Sequence, residues 1–303
     1  MKEFAAFSPG HITGLFQICD EPEDPLLKGS RGAGVSIARG VVTKVHIEKA
    51  PKTSYEIRIN GNGVESARVS EFVINTLLPV AGGNYRILVN HCVDVPIGCG
   101  FGSSGAGALS LALALKEAFG LGLSCVKAAQ LAHVAEVRCK TGLGTVIAET
   151  FGGLEIREKP GAPGVGEIKR IPIGDEYVVV CLKFGPMSTK EALVDERLRH
   201  QINNLSGKLI DELIARPQPS NFMNFSRNFA EGIGLISERM RKALEETDGR
   251  GLACSMTLFG ECLFSLLRRD AVEELLEVFR KHAPSEDSLI VAEIDHKGAR
   301  LLW

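Results

Sequence analysis

A run of small residues, Pro96-Ile-Gly-Cys-Gly-Phe-Gly-Ser-Ser-Gly-Ala-Gly-Ala108, constrains this chain more than any other stretch. It follows a segment rich in Val, Ile and Tyr, Tyr85 to Val95, that reads as a strand. It precedes Leu109 to Phe119, whose alternating Leu and Ala suit a helix buried nearly all round. Backbone N–H groups of such a run can crowd around an anion, and the start of the helix adds partial positive charge. The sequence therefore predicts a phosphate cradle. The plainer alternative is a structural turn in which Ser103 and Ser104 act only as N-caps, and the number of small residues beside them weighs against it. Gly100 to Gly105 also satisfies G-x-G-x-x-G. A dinucleotide fold, however, needs a strand after the helix and an acidic residue about 20 positions beyond the loop. This chain instead continues through Gly120-Leu-Gly-Leu-Ser124 into another helix. The pattern G-x-x-x-x-G-K-[ST] occurs nowhere in it.

The rest of the chain frames that loop. Its 303 residues, 45% apolar and 24% charged, describe a globular protein of one large domain or two ordinary ones. Lys and Arg total 35 against 37 for Asp and Glu, so nothing draws the whole chain to nucleic acid or to anionic lipid. The most apolar stretch, Gly105 to Leu115, is too short to span a bilayer, and Glu3, Pro9 and His11 interrupt the first residues before a secretory signal could form. A cytoplasmic location is expected. Eight scattered cysteines form no CxxC pair and no zinc spacing, and are read as reduced small side chains.

The first half mixes short strands (Val35 to Ala50, Tyr55 to Asn60, Tyr85 to Val95) with glycine-rich turns. A helix capped by Ser124 is expected to run to about Lys140, with the stripe Ala128, Leu131, Ala132, Ala135 and Cys139 and with Glu136 on its flank. Residues 158–167 carry two prolines and three glycines, and place a junction between domains at 1–165 and 166–303. Beyond it come a strand (Tyr177 to Phe184), helices from about Thr189 to Glu246, a strand-like segment from Cys254 to Leu258, a helix from Ala271 to His282 and a closing strand pair. Strands mixed with helices without strict alternation predict an α+β fold.

Three stretches together resemble the GHMP kinases. Ser8-Pro-Gly-His-Ile-Thr-Gly14 is similar to the family's first motif, Pro96 to Ala108 to its phosphate loop, and Ala253-Cys-Ser-Met-Thr-Leu-Phe-Gly260 to a degenerate third motif. The resemblance spans nearly the whole chain. It implies a two-domain α+β fold with the active site in the inter-domain cleft, ATP and Mg²⁺ as cofactors, and phosphoryl transfer to the hydroxyl of a small hydroxy acid. It further implies that Pro96, Gly98, Gly100, Gly102, Ser103, Ser104, Gly105, Ala106 and Gly107 wrap the ATP phosphates. Ser104 and Glu136 would hold Mg²⁺, an ion that takes oxygen ligands and keeps several waters. Substrate would lie against His11, Thr13 and Gly14.

Three departures stand out. His11 stands where several family members carry lysine, Thr145 where the family often has the aspartate proposed as base, and only Gly260 remains of a glycine-rich third motif. Ser104, Glu136 and Thr145 are thus the candidate catalytic residues, with the role of a base at Thr145 in doubt. An acid substrate needs a cation, and Arg157, in Gly152-Gly-Leu-Glu-Ile-Arg157, is the first choice because a guanidinium pairs with a carboxylate through two bonds. Arg31 is its rival. The expected partners are a small hydroxy acid and, as an assembly, a homodimer, with neither nucleic acid nor membrane. Two alternatives are a kinase of the same family acting on another hydroxy acid or an isoprenoid-pathway alcohol, and a nucleotide-binding homologue that has lost turnover.

Overall fold

The computed structural model describes residues 2–187 and 195–302; the first residues of the helical run expected from Thr189 lie outside them. The chain opens as a long hairpin. β1 (Lys2–Cys19) pairs antiparallel with β2 (Gly29–Lys49), with register shifts at Pro9/Gly10 and Thr13/Leu15. The strand expected over Val35 to Ala50 begins earlier, at Gly29, and β1 is a strand that the sequence reading does not foresee. The proline, which can donate no ladder bond, and the glycines beside it bend the strand without ending it. β3 (Ser54–Ile59), β4 (Asn62–Gly63), helix α1 (Arg68–Ala81) and β5 (Tyr85–Val93) follow. β3 runs parallel to β5, with α1 as the crossover between them. α1 escapes a pattern reading because Pro79 sits inside its last turn.

Helix α2 (Ser103–Ala118) buries every residue from Ala108 to Leu115. It is surrounded by α1, by α3 (Cys125–Cys139) and by β1 and β2. Such a helix is held by burial on all sides, each leucine contributing about 1.5–3 kcal/mol. α3 begins where the sequence places it. The Ser124 side chain accepts the Lys127 N–H, and Lys140 closes the helix in the left-handed region with φ of 58°. A short helix α4 (Thr145–Phe151) leads into β6 (Leu154–Lys159) and β7 (Glu167–Ile171).

The large sheet has eight strands and forks at β2. β1 covers one edge of β2, while its other edge is shared between β5, along Val41–Lys49, and β6, along Gly32–Val35. A second, four-stranded antiparallel sheet has the order β11, β8, β10, β9. Its strands are β8 (Tyr177–Pro186), β9 (Ser255–Met256), β10 (Gly260–Arg268) and β11 (Leu289–Glu293). Helices α5 (Glu196–Ala215) and α6 (Pro219–Ile233) join a core between the two sheets in which Phe16, Phe222, Phe229 and Phe264 meet. α7 (Glu238–Gly249) and α8 (Val272–His282) contribute to a separate core on the small sheet. The closing strand pair is not a pair: β11 joins β8, whereas β12 (Arg300–Leu301) crosses to the edge of β1. The mixed architecture is α+β, as the pattern of elements predicts.

Candidate active site

The glycine loop lies between the two sheets and is gripped from both. From the large sheet, the His11 N–H donates to the Phe101 carbonyl at 2.9 Å. From the small sheet, the Thr257 hydroxyl donates to the Cys99 carbonyl at 2.8 Å and the Met187 N–H to the Gly98 carbonyl at 2.9 Å. The first and third motifs thus meet at the loop between them. Gly100 and Gly102 have φ of 80° and 67°, and a Cβ at either would fall within 2.7 Å of a neighbouring atom, so only glycine fits there. Gly102 is the residue that caps α2, which makes Ser103 and Ser104 its first two residues and not N-caps.

A cavity of about 380 Å³ opens at this point. One wall is the loop itself, Gly98 and Gly100 through Ser104. Thr141 through Thr145 line the cavity too, with Thr145 packed against Gly102, and His11, Thr13, Ser30 and Arg157 form what we call its floor. Among the anticipated loop residues, Pro96, Gly105, Ala106 and Gly107 do not line it. Gly105 backs onto Glu149 and Gly107 onto His91. Gly14 also faces elsewhere, against Phe222 and Ser226 of α6.

Glu136 is buried at one end of the cavity. Its Oε1 accepts from the Ser104 hydroxyl and from the Thr141 hydroxyl, both at 2.6 Å. Burial pushes its carboxyl up from the ordinary value, and these two hydrogen bonds pull it back. A carboxylate and two hydroxyls are hard oxygen donors, a set that suits Mg²⁺ completed by phosphate oxygens and water. No cluster of three His, Cys, Asp or Glu exists among the described residues, so an all-protein metal cage is not built here.

Thr145, the first residue of α4, lines the same cavity. One turn further on, Glu149 is fully buried behind Gly102 and Gly105, and neither of its oxygens has a hydrogen-bond partner. Burial, and secondarily the charge of Glu136, hold its carboxyl well above the usual range.

The floor contains a charged trio that sequence reading sees only in part. Arg157 is 1% exposed, and its Nη1 donates to Glu155 Oε1. The same oxygen lies 2.9 Å from His11 Nε2, while His11 Nδ1 meets the Thr13 hydroxyl at 3.3 Å. Both ring nitrogens of His11 are therefore engaged within the protein. Burial lowers the His11 pKa against the opposing pull of Glu155. Gly34 makes the trio reachable: a Cβ there would sit 2.4 Å from the imidazole, so the strand between His11 and Glu155 must carry no side chain. The rival Arg31 is spent elsewhere, on Asp211, Gln17 and the Glu158 carbonyl. Glu155, like Thr141, is a site residue that sequence reading does not reach. Its signal was the i, i+2 relation to Arg157, which puts both on one face of β6.

Known proteins with this architecture bear on the reading. Residues 69–153 match the family model described as GHMP kinases N terminal domain. A pantoate kinase of Thermococcus kodakarensis is 37% identical over 273 residues, 89% of each chain, and one of Methanocaldococcus jannaschii is 33% identical over 90% of this chain and 96% of its own. A solved structure titled "Phosphotransferase related to CoA biosynthesis pathway" superposes with a TM-score of 0.89 at 34% identity, covering 99% of this chain and 98% of that one. A homoserine kinase from Cytophaga hutchinsonii shares the fold at a TM-score of 0.71 and 15% identity, covering 100% and 98% of the two chains. With similarity of this extent to whole relatives, the chain belongs to the GHMP kinases and is grouped among them with the pantoate kinases.

Proposed function

We propose that the chain transfers the γ-phosphoryl group of ATP to the 4-hydroxyl of pantoate, as the names of its relatives suggest. The observation that carries this is the cavity itself: a glycine loop at a helix start on one side, a Ser104–Glu136 oxygen pair at one end and a buried arginine on the floor. In this reading Gly98 to Ser104 cradle the phosphates, and Ser104 and Glu136, with Thr141 orienting the carboxylate, hold the Mg²⁺ of the nucleotide. The bound Mg²⁺·ATP supplies the phosphoryl group and neutralises charge that develops on it. Arg157 receives the acid end of the substrate, and Thr13 and Ser30 complete the floor. The alcohol oxygen forms its bond to phosphorus as the bond to the leaving ADP oxygen breaks, and its proton passes late to an oxygen of the transferred phosphoryl group and from there to solvent.

Little else is demanded of the protein, because phosphoryl transfer rests mainly on positioning and charge stabilisation. Domains 1–165 and 166–303 would then carry the nucleotide and close the cleft respectively, with β7 and β12 of the second stretch returning to the large sheet. A homodimer and a cytoplasmic setting belong to the same proposal. No helix among the described residues is long and apolar enough to cross a membrane. The test is ADP release from Mg²⁺·ATP with pantoate, homoserine or mevalonate as acceptor. Pantoate should exceed both others by at least about a hundredfold in kcat/KM, roughly what a misfit of one or two carbon groups in a shaped pocket costs. A preference for homoserine or mevalonate would move the chain to another branch of the family, and nucleotide binding without ADP release on any of the three would mark a homologue without turnover.

A further inference from the structure

The floor trio is balanced before substrate arrives. Arg157 contributes one positive charge and Glu155 one negative, and both side chains are at most 1% exposed. His11 is held neutral by its burial. With Nε2 against a carboxylate oxygen, a neutral imidazole must carry its proton on Nε2 and present Nδ1 as an acceptor, to which the Thr13 hydroxyl donates. An entering carboxylate therefore meets an arginine whose charge is already cancelled, in a place where an unbalanced charge is costly.

We infer that Glu155 is the positioning and charge-setting residue of the acid anchor, and that the substrate's carboxylate is accommodated with uptake of one proton by His11. This rests on the proposed substrate class. Protonation at Nδ1 reverses the Thr13 hydrogen bond: the ring now donates, the hydroxyl oxygen accepts, and the hydroxyl hydrogen turns into the cavity that Thr13 lines. The trio then carries one net positive charge, matched by the acid. The groups facing His11 are few. Glu155 and Arg157 from β6 are the charged ones, Thr13 is on its own strand, Gly34 faces it from β2, and the glycine loop offers only backbone at Phe101. Glu155 does not line the cavity, so it acts through its two partners.

The experiment is calorimetric titration of pantoate into the full chain with Mg²⁺ and a non-hydrolysable ATP analogue, in two buffers of different ionisation enthalpy, from pH 6 to 9. Wild type should take up close to one proton, and its Kd for pantoate should rise about tenfold per pH unit across the interval where only the bound site holds His11 charged. In Glu155→Gln the charge of Arg157 is uncancelled, so proton uptake should vanish and the pH slope with it. Nitrogen-15 spectra of the histidines in wild type, with and without pantoate, give a second readout should that variant fail to fold: His11 should pass from neutral to charged. Binding without proton uptake, an unchanged His11 spectrum, or the same uptake in a folded Glu155→Gln would overturn the inference. Absence of any pantoate binding would instead remove the substrate reading on which it stands.

Discussion

At the scale of single residues, Thr145 decides what kind of transfer chemistry this chain runs. A positioned base is worth about 10² to 10⁴ in rate, and a threonine hydroxyl is not deprotonated near neutral pH. Among the described residues lining the cavity, Glu136 is held by the Ser104 and Thr141 hydroxyls and His11 by Glu155, while Glu149, one turn along α4, is sealed behind the glycine loop. If the alcohol attacks a loose transition state before losing its proton, Thr145→Ala should lower kcat by less than about tenfold, and Thr145→Asp should leave it intact or raise it. A hundredfold loss in folded Thr145→Ala would give the hydroxyl a direct part in the transition state. Arg157 poses the complementary question of binding. Because Arg157→Ala would strand the Glu155 charge and threaten folding, the cleaner change is Arg157→Lys, which keeps the charge and loses the planar fork. It should raise the pantoate KM by about thirtyfold, roughly 2 kcal/mol, with the ATP KM little moved. Arg31→Ala should change neither, and a reversed pattern in kinetic assays would reassign the anchor.

At the scale of elements, the phosphate loop is a joint clamped by pieces distant in sequence. Gly260, the remnant of the third motif, lies so close to the loop that a Cβ there would fall 2.1 Å from the Cys99 carbonyl group. Backbone cannot yield as a side-chain tip can. Gly260→Ala should therefore cost about 1–3 kcal/mol of stability by overpacking and also raise the ATP KM, whereas Gly249→Ala, at the end of α7 in open space, should do neither. Thermal unfolding and ATP kinetics of the two variants check this. The same joint explains what could be read in advance. The loop, α2 and α3 were legible because their signals are local: small residues before an apolar helix, and Ser124 three residues ahead of the N–H it accepts. α1 was hidden by Pro79, and the length of β1 by Pro9 and Gly10, residues that break a pattern without breaking the element. Glu155 and Thr141 acquire their roles only when β6 crosses beside β2 and when residue 141 folds back onto Glu136. The i, i+2 spacing sets Glu155 beside Arg157, but nothing along the chain encodes its meeting with His11 or the return of Thr141 onto Glu136.

At the scale of the whole molecule, two sheets close on one charged cleft, and the cost of burying acids there appears as pH-dependent stability. Glu149 keeps its proton in the folded protein at pH values where an unfolded glutamate, near 4.5, has lost it. The folded state then binds more protons than the unfolded one, so stability is lost as pH rises above about 4.5. Glu149→Gln removes this contribution, and its gain in Tm over wild type should be larger at pH 8 than at pH 4.5. An equal shift at both values would mean that Glu149 is ionised in the fold. The central claim concerns the cleft as a whole, and it is tested most directly by the identity of the product. Phosphorus-31 spectra of a reaction containing pantoate, ATP and Mg²⁺ should show a new phosphomonoester resonance coupled to the two protons on carbon 4, growing in step with ADP. Inorganic phosphate appearing in place of that ester, or an ester on the 2-hydroxyl, would contradict the account.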